Sequence, residues 1–136
     1  FSQISEAVAH IHMEARIAHR DIALSNILLD DRHNAKLTDF GMAFVAPNDQ
    51  GDDVYSVTSD LILGTLPYHS PQMVALRPYS PFKADVWALA VVLYILVCRR
   101  FPFHVGPRQQ MFNEQIRYPQ HIRSRQVVCT SFVLLI

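Results

Sequence analysis

Three oxygen-bearing side chains lie close together in the sequence between His19 and Gly41. Asp21 and Asn26 are separated by four residues, and Asp39 follows after a further short stretch. Carboxylate and amide oxygens are hard ligands of the kind that Mg²⁺ accepts, and Mg²⁺ in proteins commonly also binds substrate phosphates. The types and spacing of these residues therefore predict a site for magnesium and phosphate.

A β-hairpin is predicted between these side chains. Residues 27–29 form a short apolar strand, residues 35–38 alternate as its partner, and the polar residues 30–34 form the loop between them. A hairpin brings the residues before its first strand beside the residues after its second. We therefore expect the three oxygen donors to lie side by side.

Three helices are predicted around this segment. Apolar residues at helical spacing predict an amphipathic helix over about 2–14. Residues 80–81, Ser-Pro, are typical of a helix start, and residues 84–98 are apolar on nearly every face, which predicts a buried central helix. Asp85 is expected in its first turn, where a carboxylate accepts backbone N–H groups and interacts favourably with the helix dipole. A weaker helix is predicted near 109–116.

Three stretches have less regular patterns. Residues 46–60 are polar and rich in hydroxyl groups, which predicts a long functional or mobile loop. Four prolines between residues 67 and 81 predict an irregular backbone there. Residues 126–136 are apolar and β-branched without a helical period, and their pattern predicts no particular element.

Composition and spacing argue against several classes of function. The chain has 12 basic and 12 acidic residues, so its net charge gives no reason to expect nucleic acid as a partner. Cys98 and Cys129 lack the spacing of a metal or disulfide framework, which favours a reducing, cytoplasmic location. His10 and His12 point to different faces of a helix and do not predict a metal pair. The apolar run 86–98 is too short to span a bilayer, so no transmembrane segment is predicted.

Five landmarks, in order along the chain, resemble the C-terminal lobe of a eukaryotic protein kinase. His19-Arg20-Asp21 with Asn26 resembles the H-R-D-x4-N catalytic loop, and Asp39-Phe40-Gly41 resembles the D-F-G motif. Gly64 to Gln72 resembles the G-T-x-x-Y-x-A-P-E end of the activation segment. Asp85 to Ala90 resembles the D-V-W-S-L-G start of a helix, and Phe101 to Phe103 resembles the P-F that follows that helix. The resemblance covers residues 1–122 and leaves 123–136 as a divergent tail. It implies a mainly α (α+β) fold, with the hairpin beside the catalytic loop.

The resemblance also implies a role for each candidate site residue. Asp21 would accept or orient the proton of the substrate hydroxyl, with Arg20 and Asn26 in the same catalytic group. Asn26 and Asp39 would hold the Mg²⁺ ions that bridge the phosphates of ATP, and Leu28 would contact the nucleotide. The implied partners are ATP and a protein substrate. The resemblance also implies that His19 and Phe40 belong to the family's hydrophobic stack and that Asp85 anchors the backbone of the catalytic loop. A structural role is implied for Trp87 as well.

A regulatory role is implied for Arg20, which would pair with a phosphorylated residue of the activation segment. Leu61 occupies the position at which many relatives carry the phosphorylated residue. Thr58 or Ser59 is therefore the candidate phosphosite, and a fixed negative charge on Asp60 is the alternative to phosphorylation.

Several residues depart from the family pattern. Ala23 stands where serine/threonine kinases usually carry a Lys that contacts the transferring phosphate, and Ser25 stands where tyrosine kinases carry Arg. Gln72 replaces a Glu that makes a buried ion pair in the family. Because Gly64-Thr65 resembles serine/threonine kinases, we expect that specificity, with reduced phosphate transfer.

The nucleotide-binding motifs of the family's N-terminal lobe have no counterpart in these 136 residues. We therefore expect a fragment of a serine/threonine kinase that is a poor kinase on its own. Two alternatives remain open. One is a pseudokinase-like regulatory or binding module that does not catalyse, and the other is an unrelated small magnesium-binding enzyme.

Overall fold

The computed structural model describes residues 1–47 and 63–124, with the backbone alone for 118–124. The described part is mainly helical, with a few short strands. Its elements, in chain order, are α1 (Ser2–Met13), β1 (Ile17–Ala18), a 3-10 turn (Leu24–Asn26), β2 (Ile27–Leu29), β3 (Ala35–Leu37), β4 (Phe44–Val45), a second 3-10 turn (Leu66–Tyr68), α2 (Pro71–Val74), α3 (Pro81–Cys98) and α4 (Arg108–Ser124).

The predicted helices are present, and their ends have clear local causes. Helix α3 begins after Ser80, whose hydroxyl accepts a hydrogen bond from the Lys83 amide at 3.4 Å, as expected of an N-cap. It ends at Arg99, which adopts a left-handed conformation with φ of 54° and donates from its amide to Ile95 O. Helix α4 is longer than predicted, and Pro71 begins the short helix α2 within the stretch expected to be irregular.

The main core forms where α1 and the loop before β2 pack on α3. From α3, Val91 and Val92 are buried against Ile4 and Val8 of α1, together with Ile22. Burial of such aliphatic side chains is the dominant favourable contribution to folding. The core therefore holds the chain around residue 22 directly against the central helix.

The prediction that α3 is buried on all sides is wrong for the described residues. Val86, Leu96 and Val97 are each more than half exposed. Helix α1, strand β1 and the 3-10 turn before α2 contact α3 and cover its other side. Among the described residues α3 is also the one helix that is long and apolar enough to cross a membrane by length and composition, a test that soluble core helices pass as well.

The predicted hairpin is confirmed. Strands β2 and β3 are antiparallel, with Ile27 opposite Leu37. The Asp30 carboxylate closes the turn by accepting hydrogen bonds from the Asn34 side chain at 3.0 Å, the Asn34 amide at 2.8 Å and the Arg32 amide at 2.9 Å. These bonds, above all those from Asn34, lower the pKa of Asp30.

A second small sheet was not predicted. Strand β1 pairs antiparallel with β4, with Ala18 opposite Phe44. The two strands are two residues long, too short to produce a recognisable alternation. Because β1 leads directly to His19 and β4 follows closely after Gly41, this pairing brings the start and the end of the candidate segment together.

Candidate active site

Asp85 anchors the loop that carries Asp21. Its carboxylate is 1% exposed and accepts hydrogen bonds from the His19 amide at 2.7 Å and the Arg20 amide at 2.8 Å. The expectation that Asp85 serves the first turn of its own helix is wrong, because α3 begins at Pro81 and Asp85 is its fifth residue. The carboxylate instead fixes the loop backbone immediately before Asp21, which is the role that the family resemblance implied.

The sequence did not reveal His12 as part of this anchor. His12 Nε2 lies 2.8 Å from Asp85 Oδ2, and the ring packs edge to face on Phe82. The helical period indicates only that His12 faces the core, and not which residue it contacts. His12 follows Ile4 and Val8 at spacings of eight and four residues, so it lies on the buried face of α1. Considering His10 and His12 only as a possible metal pair did not take the buried face of α1 into account.

His19 links the loop to the segment after β3. The His19 ring is fully buried, its Nε2 lies 2.9 Å from Thr38 O, and its Nδ1 accepts from the Asp21 amide at 3.3 Å. Both contacts fit the neutral tautomer with the proton on Nε2. The His19 and Phe40 rings meet edge to face with centroids 4.7 Å apart. The loop therefore holds both Asp21 and the residues that flank Asp39.

The carboxylate of Asp21 is held from both sides. Oδ1 accepts hydrogen bonds from the Thr65 amide at 2.9 Å and the Thr65 hydroxyl at 2.8 Å, and Oδ2 accepts from Asn26 Nδ2 at 3.0 Å. Asn26 Nδ2 also donates to Asp21 O at 2.9 Å. Hydrogen bonds to an ionised acceptor are stronger than neutral ones. The half-buried carboxylate is therefore oriented before any substrate binds.

Gly64 is required by the close approach of Thr65 to Asp21. Its φ is +86°, and a Cβ at this position would lie 2.6 Å from the main-chain oxygen of Arg20. Any side chain would thus be both conformationally strained and in steric conflict with the loop. Glycine at this position lets the Thr65 amide reach the carboxylate.

The hairpin register brings Asn26 beside the residues that precede Asp39. The Thr38 amide and hydroxyl both donate to Asn26 O, at 2.9 and 3.1 Å. Asp39 follows with a left-handed backbone, and its exposed carboxylate accepts from the Gly41 amide at 3.2 Å. The predicted adjacency of the two segments is therefore present.

The donor set suits Mg²⁺ better than a transition metal. The hydrogen bonds described for the Asn26 side chain use Nδ2 and not its oxygen, and Asp39 supplies an exposed carboxylate. Within residues 1–47 and 63–124, no group of three or more His, Cys, Asp or Glu side chains could hold a metal ion. Mg²⁺ in proteins is usually bound by one or two hard oxygen ligands of the protein, and phosphate and water oxygens complete its coordination.

The remaining predicted site residues differ from one another in how far they are exposed to solvent. Ala23 is fully buried in the main core, whereas Leu28 on β2 is 54% exposed. Arg20 has φ of 65°, and its Nε is buried without a hydrogen-bond partner among the described residues.

The candidate phosphosites Thr58 and Ser59 lie outside the described residues, as do Asp60 and Leu61. Trp87, two residues after Asp85 on α3, stacks on Phe103 with ring centroids 5.8 Å apart.

His69 is a second residue that the sequence did not single out. It is 3% exposed and lines a small cleft together with Asp21 and Thr65. Burial lowers the pKa of His69, and the charge of Arg108 lowers it further. The nearby main chain at 63 and 64 and the charge of Asp21 oppose this shift. Its signal in the sequence was indirect, since it lies within the segment that begins at Gly64.

Comparison with known proteins agrees with this geometry. A family model described as the protein kinase domain matches residues 1–132. The chain belongs to the protein kinase family. It is 40% identical to serine/threonine-protein kinase ppk8 of Schizosaccharomyces pombe, over 77% of this chain and 20% of that relative.

Two further relatives extend the comparison. The kinase chain is 31% identical to testis-specific serine/threonine-protein kinase 4 of Homo sapiens, over 98% of this chain and 44% of the relative. It is 37% identical to CBL-interacting protein kinase 22 of Oryza sativa subsp. japonica, over 84% of this chain and 25% of the relative. The chain therefore spans less than half the length of each of these relatives.

Proposed function

We propose that residues 1–122 form the C-terminal lobe of a serine/threonine protein kinase, with 123–136 as a divergent tail. Within a complete kinase domain, this lobe transfers the γ-phosphate of ATP to protein hydroxyl groups in the cytoplasm. The observation that carries the proposal is the Asp21 carboxylate, held between Thr65 and Asn26 by three hydrogen bonds to its oxygens. A preoriented carboxylate of this kind suits the acceptor hydroxyl of a phosphoryl transfer.

The proposed role of Asp21 is to position the acceptor hydroxyl. Phosphoryl transfer needs little covalent help from the protein, so the catalytic side chain mainly holds the acceptor hydroxyl in line and accepts its proton. The bonds from Thr65 and Asn26 fix both oxygens of Asp21, and Asp85 fixes the backbone on which it stands. The orientation is therefore provided by the fold and does not have to be created by the substrate.

Asn26 and Asp39 are the residues proposed to hold Mg²⁺ with ATP. When bound, Mg²⁺ neutralises phosphate charge during the transfer. The Thr38 bonds to Asn26 O keep the two ligand positions in register, and the exposed Asp39 carboxylate is accessible to an incoming complex. Leu28, exposed on the neighbouring strand, is proposed to contact the nucleotide.

A pseudokinase-like binding module is the second candidate function. The specific observation is Ala23, which is fully buried in the main core, where serine/threonine kinases usually carry a Lys. A buried methyl group cannot contact a transferring phosphate. Under this alternative the fold and the substrate-binding surface remain, but phosphate transfer does not take place.

A phosphate-transfer assay separates the two functions. The sample is the longest natural protein that contains this chain, with Mg·ATP and matched peptides that differ only in carrying Ser, Thr or Tyr. The kinase proposal expects Mg²⁺-dependent transfer to Ser and Thr and much less to Tyr. Transfer to none of the peptides, combined with retained peptide binding, would support the pseudokinase alternative.

A binding measurement tests the metal site separately. A ligand that binds only the folded state raises the melting temperature. Mg·ATP is therefore expected to raise the melting temperature of the longest natural protein that contains this chain, and Asp39→Asn to reduce that rise. Asp31→Asn, an exposed turn residue, is the matched control. An equal response of the two variants would argue against Asp39 as a metal ligand.

A further inference from the structure

A row of apolar side chains runs along the exposed side of α3. Val86 and Val97 are more than half exposed, and Ala90 and Leu93 between them are partly exposed. Residues three or four positions apart share one face of a helix, so these four side chains form a continuous row about 16 Å long. We call this row the α3 stripe. Contiguous exposed apolar surface usually marks a face to which something binds.

The chain itself contains an apolar segment that lies outside the described residues. Residues 126–136 contain no Asp, Glu, Lys or Arg, and eight of these eleven residues are Val, Leu, Ile, Phe or Cys. Removing apolar side chains from water is favourable in rough proportion to the area that is buried. The segment and the α3 stripe are both unfavourable in water, and each offers the apolar surface that the other lacks.

Helix α4 leads to this segment from the side of α3 that adjoins the α3 stripe. Met111 of α4 is 1% exposed and belongs to a core cluster with Phe103, against which Trp87 of α3 packs. Trp87 directly follows Val86, and one residue corresponds to a turn of about 100° around the helix axis. The side of α3 that faces α4 is therefore next to the α3 stripe and not opposite it.

The segment is long enough to reach the α3 stripe. Helix α4 extends for about 20 Å from Met111 to its last residue, Ser124, at about 1.5 Å per residue. The twelve residues after Ser124 span up to about 40 Å when they are extended. Even if α4 ran straight away from α3, the chain after it would have the length to return along the helix.

The size of the α3 stripe favours a segment of the same chain over a second copy. A row about 16 Å long and one helix wide, about 10 Å, offers less than roughly 200 Å² of surface. A stable interface between separate proteins buries about 800 Å² from each partner. A tethered segment needs less surface, because the linker holds it at a high effective concentration.

We propose that residues 126–136 pack along the α3 stripe. The tail is then part of the folded domain and completes the burial that the composition of α3 predicts. Val86 directly follows Asp85, so the packed tail stabilises the turn of α3 that anchors the catalytic loop. The proposal does not depend on the proposed kinase function, because it uses none of the catalytic or metal-binding residues.

Disulfide trapping in the 136-residue chain tests this proposal. Cys98→Ser leaves Cys129 as the one native thiol, and a second thiol is introduced by Val86→Cys or Val97→Cys. Leu28→Cys is the matched control, because Leu28 is 54% exposed and Val97 is 53% exposed. Each rate of disulfide formation within the chain is divided by the rate for the same pair in concentrated urea, which removes the effect of loop length.

The normalised rate for Val86→Cys or Val97→Cys is expected to exceed that for Leu28→Cys at least about tenfold, because packing raises the local concentration of the tail. Normalised rates at both stripe positions that do not exceed the control would overturn the proposal. A disulfide that forms between chains, at a rate that rises with protein concentration, would also overturn it, because a second copy would then occupy the α3 stripe.

Thiol modification gives a second test that does not use Cys129. In a background with Cys98→Ser and Cys129→Ser, Val97→Cys and Leu28→Cys are equally accessible to a maleimide if the α3 stripe is uncovered. The packed tail is expected to slow the modification of Val97→Cys about tenfold relative to Leu28→Cys, because the tail must first open locally. Equal rates for the two variants would overturn the proposal.

Discussion

Substitution of Asp85 by Asn tests the anchor of the catalytic loop most sharply. The carboxylate is 1% exposed and accepts from the amides of His19 and Arg20 at 2.7 and 2.8 Å, with His12 Nε2 also 2.8 Å from it. The substitution keeps the shape of the side chain but replaces one acceptor oxygen by an NH₂ group. That group faces an amide or the His12 ring and cannot accept.

The magnitude follows from these contacts. One hydrogen bond to a charged group, worth about 1.5–3 kcal/mol, is lost, and a backbone N–H left buried without a partner costs about 1–3 kcal/mol. We expect Asp85→Asn to lower the free energy of unfolding by about 3–5 kcal/mol. For a domain of this size, that corresponds to a fall in Tm of roughly 10–18 °C.

Urea unfolding followed by the fluorescence of Trp87 measures this change. Asp31→Asn, at an exposed turn position, is the control and is expected to change stability by less than about 0.5 kcal/mol. The double variant with His12→Gln is expected to be less destabilised than the sum of the single variants, because the two side chains are in contact. A loss below about 1 kcal/mol for Asp85→Asn would refute the anchor.

Three further predictions concern individual positions. Gly64→Ala is expected to lower the free energy of unfolding by at least about 2 kcal/mol in urea titrations. Gly64 has a φ of +86°, and the Cβ of an alanine there would collide with the main-chain oxygen of Arg20. An unchanged urea midpoint would contradict this close approach. Arg99→Gly is expected to raise stability by about 1 kcal/mol, since Arg99 ends α3 with φ of 54°, whereas Arg100→Gly as the control should give no gain. Burial lowers the pKa of His69 in the folded state, so below pH ~6.5 the unfolded state binds more protons than the folded state. The free energy of unfolding therefore falls as the pH drops through that value, by at most about 1.4 kcal/mol per pH unit. His69→Gln should remove this contribution in urea titrations between roughly pH 7.5 and pH 5.5, and an identical pH dependence in the variant would show that His69 does not titrate as inferred.

Local patterns predicted the elements whose causes lie within a few residues. The hairpin 27–37 follows from a period of two on either side of a polar turn, and α3 follows from Ser80-Pro81 before a long apolar run. The adjacency of Asn26 to the segment of Asp39 followed in turn from the hairpin, because antiparallel pairing determines which residues flank it.

Contacts between distant segments were harder to predict. Strands β1 and β4 have no periodicity to detect, and their pairing depends on the tertiary fold. His12 and His69 meet their partners 73 and 46 residues away, so neither contact is visible in local spacing. The exposed face of α3 was missed for the opposite reason. Composition reports how apolar a helix is but not which side its neighbours cover.

The central claim is that Asp21 orients the acceptor hydroxyl, and the most direct test is the rate of phosphate transfer. In the longest natural protein that contains this chain, transfer from Mg·ATP to a serine peptide is compared between the unmodified protein, Asp21→Asn and the control Asp31→Asn. The account predicts a loss of about 10²–10⁴-fold for Asp21→Asn with an unchanged control. A rate for Asp21→Asn within a few-fold of the unmodified protein would contradict it.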